Sequence, residues 1–131
     1  METTRHFVAT VYAVHDGAVA LHEHDKLEMW LPAGGHLDRD ELPHEAALRE
    51  AREESGAVCR GPRYAGSVSY RAKGEDVVCA FYRAELVKLG QADEDRERRW
   101  VPLGELGAAM PFPETAEIVR VAEAMGPGPA G

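Results

Sequence analysis

Gly35-His-Leu-Asp-Arg-Asp-Glu41-Leu-Pro43-His-Glu-Ala-Ala-Leu-Arg49-Glu50-Ala-Arg-Glu53-Glu54-Ser-Gly56-Ala57 is the stretch from which the rest of the chain can be read. Leu42 and Pro43 open a helix, since proline suits a first turn, where its missing N–H leaves nothing unpaired. Asp40 and Glu41, just ahead of it, suit the positive end of the helix dipole. Gly56 ends the helix where the chain must turn left-handed. At about 100° per residue, Glu50, Glu53 and Glu54 fall on one arc as i, i+3 and i+4, so their carboxylates are neighbours. His44, Ala47, Leu48, Ala51 and Ser55 make a second stripe, small and mostly apolar, that can pack on a sheet. Arg49 lies one turn before Glu53 and can pair with it.

Three carboxylates on one face repel by up to ~0.5 kcal/mol per like-charged pair even on an open helix. Two readings follow from the helix alone: a solvated acidic surface balanced by Arg49 and Arg52, or the seat of a cation. Oxygen ligands without accompanying cysteines or histidines suit Mg²⁺ or Mn²⁺ rather than zinc. The net charge of −8 points the same way. It argues against nucleic acid or an anionic membrane as partner, and a phosphate substrate would be repelled unless a bound cation inverted the local field.

With 131 residues, 44% of them hydrophobic, the chain is expected to form one soluble domain with a single core. No apolar run reaches the length of a membrane span, and Met1-Glu-Thr-Thr-Arg-His6 does not read as a signal peptide. Cys59 and Cys79 are isolated and lie on strand-like segments, so they read as reduced core residues of a cytoplasmic protein.

His6 to Val14, rich in β-branched and aromatic residues, predicts a strand. His15-Asp16-Gly17 is a turn and Ala18 to Leu21 its partner strand. His22 to Lys26 is expected to lead away as a polar loop with exposed histidines at 22 and 24. Either could hold a metal by spacing, but no third ligand has an evident place. Val58 to Arg60 and Tyr64 to Tyr70 read as two strands separated by Gly61-Pro62, and Val77 to Leu86 as the strongest strand. Gln91 to Arg99 is a charged loop, Glu114 to Met125 an amphipathic helix, and residues 126–131 a disordered tail, leaving 1–125 as the domain.

The stretch Gly35–Ala57 resembles the Nudix box, G-x5-E-x7-R-E-U-x-E-E-x-G-U, where U is aliphatic. Gly35, Glu41, Arg49, Glu50, Glu53, Glu54 and Gly56 stand at its fixed positions, and Ala51 and Ala57 at its aliphatic ones. With ordinary composition such a match arises by chance roughly once in 10⁸ starting points. Trp30-Leu31-Pro32-Ala33-Gly34-Gly35-His36 is similar to the family's Pro-Gly-Gly entry to the box, and Trp100 to Leu106 to its Trp-Val-Pro-Leu-x-Glu-Leu segment.

The resemblance to Nudix (MutT-type) hydrolases implies an α/β protein, an α/β/α sandwich with a central mixed β-sheet. It implies Mg²⁺- or Mn²⁺-dependent hydrolysis of a phosphoanhydride bond in a nucleoside diphosphate linked to another group, by attack of water on phosphorus. Glu50, Glu53 and Glu54 would hold the metal with the Gly34 carbonyl and one glutamate of the later loop, Glu94 ahead of Glu97. Glu50 is the first candidate for the base and Glu53 the second. Arg49 would orient the glutamates by ion pairing, and Glu41 would support the loop–helix geometry. Markers of the NADH, coenzyme A and ADP-ribose members are absent, which leaves a nucleoside tri- or diphosphate as the first substrate class. Dinucleoside polyphosphates or nucleotide sugars come second, and a non-catalytic nucleotide-binding module third. The partners implied are a small nucleotide, no nucleic acid and no membrane, in a monomer or homodimer.

Overall fold

The computed structural model describes residues 5–24, 29–72, 74–90, 98–109 and Arg120. The loop with Glu94 and Glu97, the helix expected over Glu114–Met125 apart from Arg120, and the tail 126–131 lie outside the described residues.

A mixed sheet forms the centre. Strand β1 (Arg5–His15) is followed by β2 (Ala18–His24), β3 (Met29–Leu31), β4 (Ala33–His36), helix α1 (Pro43–Ser55), β5 (Ala57–Ala72), β6 (Glu75–Leu89) and β7 (Arg98–Pro102). A 3₁₀ turn, Leu103–Glu105, and the short helix α2 (Leu106–Ala109) follow. The strand order is β3-β2-β1-β6-β5, with β4 added on β1 and β7 on β2. Among the described residues only the β1–β6 ladder, from Arg5↔Asp76 to Val14↔Glu85, is parallel. Asp16 and Gly17 both take positive φ, 50° and 77°, as a two-residue hairpin turn requires.

One irregularity of the sheet positions the site. β1 and β2 pair only at Val14↔Val19 and His15↔Ala18. Beyond that the two strands are joined through the next segment: β3 pairs with β2 and β4 with β1. Pro32 alone separates β3 from β4, a position at which no ladder N–H is needed. β2 continues past Leu21 to His24, so residues 22–24 belong to a strand and not to the expected loop.

β5 also differs from expectation. It is one strand, and Gly61-Pro62 lies inside it, within the register shift between Arg60 and Arg63. β5 stands at the end of the strand order, where a bulge and a missing N–H are tolerated.

Helix α1 begins and ends as its sequence requires. The Glu45 carboxylate accepts the Leu42 N–H at 2.8 Å, and Gly56 caps the other end at φ 71°, its N–H donating to the Arg52 carbonyl. The stripe facing the sheet is made of small residues. Nine of the ten buried residues in the cluster beneath α1 are alanine, so little bulk separates helix from strands. The larger core residues Tyr12, Val14, Val19, Leu21, Phe81, Val101 and Leu106 form a second cluster. Cys59 and Cys79 are both free thiols. Burial pushes the Cys59 thiol up to about 11 and raises that of Cys79, so both stay protonated and inert at neutral pH. Among the described residues no helix is long and apolar enough to cross a membrane.

Candidate active site

The alanine contact brings the acidic face of α1 against β2 and β4. The Glu50 carboxyl group packs on Gly35, where an added Cβ would stand 2.7 Å from its Cδ and Oε1. Glu54, one turn later, is 9% exposed and is held from both strands. Its Oε1 accepts the Gly34 N–H at 3.3 Å, and its Oε2 lies 2.8 Å from His22 Nε2. The Glu50 and Glu54 carboxyl groups, one turn apart on α1, are close enough for each to shift the acidity of the other.

Arg49 organises the remaining acids. Its Nε and one terminal nitrogen donate to the two oxygens of Glu41 at 2.8 and 3.0 Å, a fork-to-fork arrangement. The other terminal nitrogen donates to Glu50 Oε1 at 2.9 Å and Glu53 Oε2 at 3.1 Å. A further bond, at 3.1 Å, reaches the His36 carbonyl. Glu41 in turn accepts the Asp38 N–H at 2.8 Å, closing the loop that leads into α1. Glu41 is therefore the anchor of the arginine and of the loop, and Arg49 links that loop to two glutamates of the acidic face.

These contacts push the carboxyl groups apart in acidity. Burial first, then the hydrogen bond and charge of Glu54, push Glu50 up to about 7 against the opposing pull of Arg49. Burial raises Glu54 as well, but its hydrogen bonds to His22 and Glu50 and the charge of His22 more than offset this, holding it below the ordinary carboxylate range. The Arg49 hydrogen bonds do the same for Glu41, helped by the Asp38 N–H.

The sequence-derived residues are thus partly gathered. Glu50 and Glu54 meet at Gly34–Gly35, while Glu53 is tied in through Arg49. Glu94 and Glu97 lie outside the described residues. Among the described residues, no three histidine, cysteine or acidic side chains converge as a cation cage. Arg49 instead lies between Glu50 and Glu53. The donor set still fits a hard divalent cation: it offers oxygen from three carboxylates and from the Gly34 carbonyl, and negative charge in excess of Arg49. The absence of a Cβ at Gly35 leaves the space that the Glu50 carboxyl group uses.

His22 corrects the sequence reading. Expected on an exposed loop, it is 2% exposed and bonded to Glu54. The alternation Ala20, His22 along one strand face carried the signal, but only once β2 is known to continue past Leu21. Trp30 is half-buried against the larger-residue cluster, with the Arg99 guanidinium 5.8 Å above its ring.

A family model described as NUDIX domain matches residues 3–123. YtkD of Bacillus subtilis (strain 168), provisionally named an 8-oxo-dGTP diphosphatase, is 37% identical over 78 residues, which make up 59% of this chain and 49% of YtkD. The aligned region thus spans about half the length of that relative. Among solved structures, a NUDIX hydrolase from Nitrosomonas europaea superposes with a TM-score of 0.80 at 17% identity, covering 96% of this chain and 93% of its own. A C. elegans Ap4A hydrolase, solved as a binary complex, gives 0.77 at 20% identity, with 92% and 96% covered. Likeness at those identities establishes the fold.

Proposed function

The chain belongs to the NUDIX family, and we propose that it hydrolyses a phosphoanhydride bond in a nucleoside tri- or diphosphate. The observation that carries this reading is the meeting of Glu50 and Glu54 at Gly34–Gly35, with Glu53 drawn in by Arg49. The similarity to YtkD supports a nucleoside triphosphate as the first substrate to try, oxidised guanine nucleotides included.

In this reading Glu50, Glu53, Glu54 and the Gly34 carbonyl would hold Mg²⁺ or Mn²⁺, with Glu94 as a further ligand from the later loop. Such a cation would supply cancellation of charge on the phosphate oxygens during in-line attack by water. Glu50 accepts the proton of that water. Glu53 is the second candidate for that role. Arg49 does not touch the phosphate in this scheme. It orients Glu50 and Glu53 and is itself oriented by Glu41. The partner is then a small nucleotide in a cytoplasmic monomer or homodimer.

Release of phosphate or pyrophosphate from a panel of nucleotides, with and without Mg²⁺ or Mn²⁺, tests the proposal. Metal-dependent hydrolysis of at least one nucleoside tri- or diphosphate is expected. Tight nucleotide binding without turnover across the panel would replace the enzyme with a binding module.

A further inference from the structure

His22 is the one buried histidine among the described residues. Its Nε2 meets Glu54 Oε2 at 2.8 Å, but its Nδ1 is buried with no hydrogen-bond partner, the one such side-chain atom among the described residues. A buried polar atom left unpaired destabilises a fold, and an apolar residue of similar size would avoid that. Position 22 therefore carries a polar group at the expense of stability, and among the described residues the polar side-chain contact that group makes is with a glutamate of the acidic face.

What the contact does follows from where it lies. Arg49 orients Glu50 and Glu53 from one side of the acidic face. Glu54 is held from the other side, between His22 on β2 and the Gly34 N–H on β4, two strands that each pair with β1 but, among the described residues, not with each other. With Oε2 engaged by His22 and Oε1 by Gly34, the carboxylate has a fixed plane, and each oxygen keeps a lone pair for another ligand. Hydrogen-bond partners behind a ligating carboxylate set its orientation and the affinity of the metal it binds.

We infer that His22 is a positioning residue, holding the Glu54 carboxylate in the orientation in which it binds a divalent cation. The inference deepens the proposed function and rests on Glu54 being a metal ligand.

Mn²⁺ binding to the full chain, followed by the electron paramagnetic resonance signal of free Mn²⁺, tests it without reliance on turnover. Glu54→Gln establishes the ligand and should weaken binding. His22→Leu should weaken Mn²⁺ binding by about 10- to 100-fold. His22→Gln, which returns an N–H to the place of Nε2, should recover most of it. In the Glu54→Gln background, His22→Leu should change nothing further, whereas a general packing role would persist there. For turnover, His22→Leu should lower kcat and leave KM for the nucleotide nearly unchanged.

Wild-type Mn²⁺ affinity in a folded His22→Leu, with Glu54→Gln weakened, would overturn the inference and spare the reading beneath it. Wild-type affinity in Glu54→Gln would remove Glu54 from the metal site and take the inference with it. Should His22→Leu not fold, His22→Gln is compared with His22→Asn, whose shorter amide falls short of Glu54. Equal, wild-type binding in those two would likewise overturn the role assigned to His22.

Discussion

Gly34 and Gly35 are adjacent, yet a methyl group added at each should do opposite things. At Gly34 the new Cβ would stand 2.6 Å from the Ala9 carbonyl oxygen, 2.6 Å from Thr10 Oγ1 and 3.1 Å from Thr10 Cα. Ordinary contact begins near 3.4 Å, so something must move by about 0.8 Å (3.4 − 2.6). Part of the obstacle is the backbone of β1, which is bonded to β6 on one side and β4 on the other and cannot yield alone. Overpacking of this kind costs about 1–3 kcal/mol, which for a domain of this size lowers Tm by about 5–15 °C. At Gly35 the obstacles are Cδ and the two oxygens of Glu50, at 2.7, 2.7 and 3.1 Å, the far end of a flexible side chain. The carboxyl group can retreat by a similar distance, so the fold should survive with Tm changed by less than about 3 °C, as for substitutions within ±0.5 kcal/mol. Displacement approaching 1 Å in a catalytic group lowers rates by on the order of 10²-fold, so kcat of Gly35→Ala should fall by about 10- to 100-fold. Thermal melts and nucleotide turnover on the two variants give the comparison. Wild-type kcat in Gly35→Ala, or a Tm loss as large as that of Gly34→Ala, would refute the placement of Glu50.

Chelation with EDTA should abolish phosphate release, and added Mg²⁺ or Mn²⁺ should restore it; full activity in metal-free buffer would end the proposed chemistry. Glu53→Gln should cut turnover by at least about 100-fold, the scale of one electrostatic contact to the transition state, while circular dichroism and Tm remain those of a folded protein. In EDTA, Glu50 binds its proton more tightly folded than unfolded, from its ordinary value near 4.5 up to about 7. Its contribution to stability is therefore fully present below about 4.5 and fades as pH rises through 7; melts across that window should show a downward slope that Glu50→Gln flattens. For the later loop, Glu94→Gln should reduce turnover more than Glu97→Gln or Asp95→Asn, although each removes one charge from the same segment. A dominant Glu97 effect would move the ligand by one place in the ranking, and three equally small effects would make the loop ordinary surface.

What the sequence discloses depends on how local the interaction is. The start and stop of α1 and the shared face of Glu50, Glu53 and Glu54 follow from spacings within a few residues, and the structure has them as read. The Arg49–Glu53 pair, one turn apart, was equally visible. The stronger partner, Glu41, was not visible as one, because it reaches Arg49 only through a loop that turns at Asp40 with φ 65°. His22 was misread for the same reason at longer range. Its burial depends on β2 continuing beyond Leu21 to meet β3 and β7, and strand pairing is not written in the pattern of either strand alone. Gly61-Pro62 misled in the other direction: a local break signal was absorbed by a bulge because β5 lies at the end of the strand order.

The alanine layer under α1 also tells an engineer where not to build. Alanine has no side-chain torsion to lose on folding and little surface to bury, so the helix is close to the sheet without being strongly glued to it. Part of its mooring is polar and lies at its C-terminal end, where Arg98 donates to the Ser55 carbonyl at 2.6 Å and Gly90 to the Gly56 carbonyl at 2.6 Å. Filling Ala46, Ala47 or Ala51 with larger side chains in search of a tougher protein would act as a jack, lifting Glu50 and Glu54 away from Gly34–Gly35. Volume-conserving changes belong instead in the cluster around Tyr12 and Phe81, whose residues do not stand between the helix and its strands.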